Sequence, residues 1–302
     1  ENNMLLHISS PTVKQVLAFH ALFPNWPLNV LLSYAIEKYF QDFQEIHRKK
    51  ICSLILDSGA YTLNKSKWAK RPPNILRAYA NTSELSSKYY DFIFNLDEDF
   101  SLHGYDVNMF NQIELEEANL DPVPVIHNIN NTDEARRFID LGYDIVAIGQ
   151  CQGGRPIKKL RRIVNMLHDS NVKVHLFAVT KLEPLMKLPV WSCDSSSWVQ
   201  YVKYGQVMWW NEELVDWDPI ERIYFPDKQV DHDPRRGRNY WAYDYKAQFD
   251  TYLDQKLGIT HDHLTGGDSE HYRGLVNILF FKEMERYVTE FHTKVCGYVF
   301  DE

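Results

Sequence analysis

Residues 145–178 read IVAIGQCQGGRPIKKLRRIVNMLHDSNVKVHLFA. A short apolar run, Ile145–Gly149, gives way to a glycine pair at Gly153-Gly154. From Pro156 to Ser170 the apolar residues Leu160, Ile163, Val164 and Leu167 recur at helical spacing. Pro156 suits the first turn of that helix, where an amide hydrogen has no partner to lose. A second apolar run, Val174–Ala178, follows. Both runs are too short for helices and, like most of the runs in this chain, mainly apolar, as strands buried on both faces must be. Strand, helix and strand in that order predict a parallel βαβ unit.

Six more runs of the same kind lie outside this unit: Leu5–Ser9, Asn29–Ser33, Ser53–Asp57, Phe92–Asp97, Val123–His127 and Val190–Asp194. Helical spacing appears between them, as at Ile36, Tyr39, Phe40, Phe43 and Ile46 within Ala35–Lys49. Another helix opens at Thr132-Asp133-Glu134-Ala135 and ends near Gly142. Eight strands alternating with helices predict an α/β fold, a (β/α)8 TIM-type barrel. An open doubly wound sheet is the alternative, disfavoured because no G-x-G-x-x-G follows the first strand. The repeat stops after Gly205. Residues 1–205 are therefore read as the barrel, the catalytic core, and 206–302 as a C-terminal helical appendage packed on it. Its last element is a helix near His271 to His292.

The chain has 302 residues, 44% hydrophobic and 25% charged, which is enough for one large barrel. No apolar run approaches the ~20 residues that cross a bilayer. The start, ENNMLLHISS, lacks the basic-then-apolar order of a signal peptide, so a cytoplasmic location is expected, host cytoplasm if phage-encoded. Cys52, Cys151, Cys193 and Cys296 form no C-x-x-C pair, which points to free thiols rather than a zinc knot. A net charge of −8 argues against a general nucleic-acid binder. The basic residues nevertheless cluster, at His47–Lys50, Lys65–Arg71, Lys158–Arg162 and Arg235–Arg238. Each cluster reads either as a solvated face or as part of a phosphate track.

Active sites of such barrels sit where strands end. The third strand ends Leu56-Asp57-Ser58-Gly59-Ala60-Tyr61 and the fourth Asn95-Leu96-Asp97-Glu98-Asp99. The fifth ends Ile126-His127-Asn128, the sixth Ile148-Gly149-Gln150, and the eighth Cys193-Asp194-Ser195-Ser196-Ser197-Trp198. Three acids converging from three strands suit nucleophilic and acid–base work, and could also hold a metal.

These segments resemble, in order, those of the tRNA-guanine transglycosylase superfamily. Asp57–Tyr61 is similar to that family's D-S-G-G-F segment and Phe94–Glu98 to its apolar-D-E segment. Ala147–Gln150 is similar to its A-I-G-G turn, Phe177–Thr180 with Glu183–Leu185 to its M-G-V-G and P-E-D-L. Asp194–Trp198 resembles the D-S-A-S-Y of the archaeal branch. Within the superfamily the chain is most similar to the 7-deazaguanine DNA transglycosylases of phages and bacteria. The tRNA enzymes carry a C-x-C-x2-C zinc site completed by a His. Here those cysteines are absent, Val276-Asn277 stands where His-Asn would fall, and no dedicated tRNA-binding domain follows.

The resemblance implies exchange of guanine in DNA for a 7-deazaguanine of the preQ0 type, through a covalent aspartyl-glycosyl intermediate. Asp194 would be the nucleophile, Asp57 the general acid/base, and Asp97 the acceptor for the guanine edge. Ser58, Gly59, Tyr61, His127, Gly149 and Gln150 would line the base site. His127 stands where the family often has Gln, and Gln150 where it has Gly, so the incoming base is left open. Lys65, Lys67, Arg71, Arg235, Arg236 and Arg238 are candidates for backbone contacts. The implied partners are DNA and a free 7-deazaguanine base, with no cofactor and no essential metal. A zinc-less tRNA-guanine transglycosylase, and an idle barrel that binds nucleic acid or a protein, stay open as alternatives.

Other readings compete residue by residue. Asp57 and Asp194 could each cap a following helix, and Asp99 competes with Asp97. His261, Asp262, His263 and His271 read as loop residues or a metal site. Gly153-Gly154-Arg155 reads as a turn or a phosphate cradle. Trp191, Trp198, Trp209, Trp210 and Trp217 read chiefly as packing, with one or two able to stack on an extruded base.

Overall fold

All eight apolar runs become strands in the computed structural model, which describes residues 3–65, 74–179, 181–214, 220–226 and 237–297. In chain order they are β1 (Leu5–Ser9), β2 (Leu28–Ser33), β3 (Ile51–Asp57), β4 (Ile93–Phe94), β5 (Pro122–Val123), β6 (Val125–Ile126), β7 (Ile145–Ile148), β8 (Lys173–Leu176) and β9 (Ser192–Ser195). The order in the sheet is β5-β4-β3-β2-β1-β9-β8-β7-β6, and every pairing is parallel. Its two ends, β5 and β6, are halves of one extended segment broken only at Pro124. One half pairs with β4 and the other with β7, so the sheet closes on itself as an eight-stranded barrel. Proline breaks the ladder because it has no N–H, but its carbonyl still accepts from Ala147 N–H at 2.9 Å.

Side chains paired across a parallel ladder share a face. Leu31, Ile55, Phe92, Phe94, Val123, Val125 and Ala147 form the buried cluster, with Phe177 and Trp191 against it. Polar residues stand in register among these apolar ones. His7 pairs with both Asn29 and Asp194, and Asn29 with Ser53. A carbonyl can only accept, so His7 Nδ1 donates to Cys193 O at 3.3 Å. His7 Nε2 then accepts the Ser53 hydroxyl at 2.9 Å.

The helices that follow strands are α1 (Val13–Leu22), α2 (Phe40–Ile46), α3 (Ala60–Lys65), α4 (Ile75–Ser86), α5 (Tyr105–Glu117), α6 (Asp133–Leu141), α7 (Ile157–Asp169), α8 (Leu182–Lys187) and α9 (Ser197–Lys203). In α7 the expected stripe of Leu160, Ile163, Val164 and Leu167 is buried, but Pro156 is the cap residue rather than the first turn. α6 ends at Gly142 with φ 82°, a left-handed stop. The helix expected over Ala35–Lys49 begins only at Phe40. The Glu37 carboxylate accepts from the N–H groups of Lys38 and Tyr39, and Tyr34 N–H donates to Asp57 O, so residues 34–39 are tied down as a loop.

The chain divides into two compact units. One holds residues 1–10, 28–195 and 287–302, and therefore all the barrel strands; the other holds 11–27 and 196–286. The second unit contains a three-stranded sheet that the sequence reading did not anticipate. Its strands are β10 (Gln206–Trp210), β11 (Ile220–Tyr224) and β12 (Arg238–Asn239), with β10 and β11 antiparallel. Two further helices follow, α10 (Lys246–Leu257) and α11 (Ser269–Phe291). Asn277, at the position compared with the zinc-site His-Asn, donates to the carbonyls of Trp198 and Gln206 and accepts from Met208 N–H at 2.7 Å. It knits α9, β10 and α11 together. Trp198 and Trp209 are buried core residues, and Trp217 lies outside the described residues.

Candidate active site

β9 carries Asp194 into the barrel mouth, where fixed donors surround its carboxylate. Oδ2 accepts the Ser9 hydroxyl from β1 at 2.9 Å. Oδ1 accepts Ala178 N–H at 2.9 Å, and His175 Nε2 faces the same oxygen at 3.5 Å. The loop after β8 is shaped for this task. Ala178 adopts φ 53°, a left-handed conformation unusual for a residue with a side chain. Val179 N–H donates to Asp194 O at 2.9 Å, and Arg155 braces the turn from outside by donating to the carbonyls of Phe177 and Ala178. Burial pushes the Asp194 carboxyl toward its neutral form. The contacts from His175, Ala178 and Ser9 outweigh burial and hold it below the ordinary carboxylate value.

Asp57 ends β3 in a different environment. It keeps part of its edge open, yet it is so closely surrounded that burial, with the Asp194 charge next and Asp97 contributing, raises it to about 7. Gly59 N–H donates to Oδ2 at 3.0 Å and opposes the shift without cancelling it. Gly59 has φ +72°, and a Cβ there would stand 2.4 Å from Ala35 Cβ and 2.8 Å from Ala35 N. Ser58 turns away from the mouth, donating to Asn95 O at 2.9 Å. The helix-cap reading of Asp57 is met only in this sense: Ser58, not Asp57, accepts from Ala60 N–H, at 3.4 Å.

Asp97 lies just beyond β4 and is buried. Its Oδ1 accepts from Asn95 Nδ2 and its Oδ2 meets His127 Nε2, both at 2.9 Å. Burial pulls His127 down, but the Asp97 hydrogen bond and charge, then Glu134 and Asp99, carry it above the ordinary imidazole value. The two side chains form a buried hydrogen-bonded pair beside the mouth, an ion pair when the ring is protonated. Asp99, the competing acid, spends its carboxylate on Ser101 N–H at 2.8 Å.

Aromatic rings lead outward from this pair. Phe100 stands edge-on to His127 at 5.0 Å, and the exposed Tyr61 stands edge-on to Phe100 at 6.1 Å. Gly149 leaves room beside His127, since a Cβ there would lie 3.7 Å from His127 Cε1 and 2.8 Å from a Val125 methyl. Gln150 is buried and fully engaged with backbone. It accepts from Ile129 N–H and donates to the carbonyls of Gln152 and Gly154, all at 2.7 Å. It braces two loops, one of them the Gly153-Gly154 turn.

The candidates for backbone contact are placed less completely. Lys67, Arg71, Arg235 and Arg236 lie outside the described residues, and Lys65 is the last residue of α3. Arg238 is exposed on β12, its Nε 3.6 Å from Glu221 in the second unit. Among the described residues no three His, Cys, Asp or Glu side chains gather with metal-binding geometry. His263 instead accepts from Thr260 N–H as a cap.

Ser9, His175, Asn95 and Arg155 were not legible as site residues. Each reaches the site through strand register or a loop path.

No protein-family model and no curated protein sequence matches the chain. Among solved structures, a protein assigned as a fructose-1,6-biphosphate aldolase from Coccidioides immitis superposes with TM-score 0.49 at 15% identity, covering 96% of this chain and 93% of its own. A 4-hydroxy-2-oxoglutarate aldolase superposes with TM-score 0.41 at 14% identity, covering 65% and 86%. Likenesses this slight carry no statement about chemistry.

Proposed function

We propose that the chain is a base-exchange transglycosylase, replacing guanine in DNA by a 7-deazaguanine. The observation that carries this reading is the contrast between two acids at one barrel mouth. Asp57 is raised to about 7, whereas Asp194 is held below its ordinary value by donors. Base exchange needs such a divided pair. The low-lying carboxylate attacks C1′ as the C1′–N9 bond breaks. The protonated acid gives its proton to the departing base. An incoming base then loses its N9 proton to the same acid, attacks C1′, and returns the electron pair to Asp194.

The Asp97–His127 pair supports recognition of a purine edge. Asp97 offers acceptors for guanine N1–H and N2–H2, as an acid reader should. Tyr61 and Phe100 offer faces and edges for a ring. A duplex base cannot reach a barrel mouth in place, so the target base is flipped or single-stranded. No helix among the described residues is long and apolar enough to cross a membrane.

The test is transfer of labelled preQ0 into DNA or tRNA by the purified chain, alongside Asp194→Ala and Asp57→Ala. Label in DNA that is lost in both variants supports the reading. Label in tRNA alone keeps the chemistry and replaces the polymer. No label in either polymer removes the reading.

A further inference from the structure

The two oxygens of Asp194 are not equivalent. Oδ1 accepts a backbone N–H, which cannot turn away, and lies opposite a ring nitrogen. Among the described residues Oδ2 accepts a serine hydroxyl, which rotates about its C–O bond. His175 is fully buried among Phe92, Phe94 and Phe177, with ring centroids at 6.2, 4.7 and 4.7 Å. Burial keeps it neutral, so it carries one ring proton. Its Nδ1 lies 2.7 Å from the Ser192 hydroxyl, and its Nε2 faces a carboxylate that can only accept. The consistent assignment puts the proton on Nε2 and has Nδ1 accept from Ser192. Among the described residues Nε2 then has no hydrogen bond of good geometry. It is a buried donor aimed at the nucleophile across a gap slightly too long.

We infer that Oδ2 of Asp194 is the attacking atom, and that His175, held by Ser192, is a positioning residue that governs release of Asp194 from the glycosyl intermediate. This rests on the base-exchange reading above. In the first half-reaction an Oδ2 lone pair forms the bond to C1′, while the C1′–N9 electrons leave with the base, which takes the proton of Asp57. The ester keeps Oδ1 as its carbonyl oxygen, still facing Ala178 N–H and His175. In the second half-reaction N9 of the incoming base gives its proton to Asp57 and attacks C1′. The C1′–Oδ2 electrons return to Asp194, and the carboxylate charge is regained in front of the His175 donor. Catalytic hydrogen bonds are often long at rest and shorten during reaction. A donor that prefers the carboxylate to the ester keeps the covalent state from becoming a trap.

The structure also limits what else His175 can do. One of its nitrogens is held by Ser192 and the other faces Asp194. It acts through Asp194 rather than on the base.

The experiment compares the full chain with His175→Phe, His175→Gln and Ser192→Ala. Each is incubated with a guanine-containing single-stranded oligonucleotide and, separately, a tRNA transcript. The covalent adduct is then captured on a denaturing gel with and without added preQ0. Phe keeps the ring volume without a donor, and Gln restores an N–H. Hydrogen bonds to charged groups imply a rise in the adduct-to-free ratio on the order of tenfold for His175→Phe, with slower discharge by preQ0. Gln should return the ratio toward that of the parent. Ser192→Ala, which frees the ring to turn, should move it in the same direction as Phe by less, and guards against misfolding of the Phe variant. Parent adduct with unchanged ratios in His175→Phe and Ser192→Ala overturns the inference and leaves the proposed function standing. Absence of any adduct and any exchange in the parent removes both together.

Discussion

Ser9 on β1 donates its hydroxyl to Oδ2 of Asp194 on β9 at 2.9 Å, joining the first strand of the barrel to the last across 185 positions of sequence. The bond requires barrel closure, because β1 and β9 become neighbours only then. Ser9→Ala removes one donor from a buried carboxylate. Unfolding in urea at pH 7 should show a loss of about 1.5 kcal/mol, the lower end for a charge-assisted hydrogen bond. An unchanged midpoint would show that the hydroxyl contributes nothing there.

Asp57 makes stability depend on pH in a defined direction. Its folded-state value, about 7, lies above the ordinary carboxylate value of 3.8. The folded state therefore binds more protons between those two values, and stability falls as pH rises through that window. Allowing for the open edge of the carboxyl, the total is on the order of 3 kcal/mol. Asp57→Asn should flatten the dependence of melting temperature on pH between 4 and 7. It should also make the chain more stable than the parent at pH 8. Parallel curves for the two proteins would contradict the burial argument.

His127 contributes with the opposite sense of charge. Its folded value lies above the ordinary 6.5, so its stabilisation is complete below 6.5 and is lost as pH rises through the folded value. His127→Gln should abolish that loss while keeping a donor for Asp97. Titration of the His127 ring by NMR gives the check, and an ordinary midpoint would exclude a persistent ion pair with Asp97.

Gly59 is the least replaceable position at the mouth. A side chain there meets Ala35 and Ser33 at 2.4 to 2.8 Å, and φ +72° disfavours any L-residue. Gly59→Ala should destabilise the fold by roughly 2 kcal/mol or more. It should also shift Asp57, whose carboxylate receives the Gly59 N–H. Wild-type stability in denaturant would refute this.

Eight strands were readable because strands covered on both faces are largely apolar, and most of the runs from Leu5 to Asp194 are, with His7, Asn29 and Ser53 among the exceptions. The turn residues around Gly142 and Gly153-Gly154 marked the breaks. The loop at 34–39 was not readable. Its apolar residues keep helical spacing, and only the Glu37 carboxylate, turned onto nearby N–H groups, shows why no helix forms. The sheet of β10, β11 and β12 was hidden for a related reason: its strands are short, and their partners are fixed by tertiary pairing.

Which carboxylates end strands is written in the local pattern of the chain. Alternation and length place Asp57, Asp97 and Asp194 at one end of the barrel whatever the surrounding packing. What each carboxylate is depends on the folded surroundings. Three acids of similar intrinsic proton affinity become a low-lying carboxylate, the hydrogen-bonded partner of an imidazole and a protonatable acid through their neighbours. Those neighbours, among them Ser9, Ala178, His175 and His127, are supplied by barrel closure and strand register. Proton affinity depends on desolvation and on donors within a few ångströms, and no spacing along the chain encodes those distances.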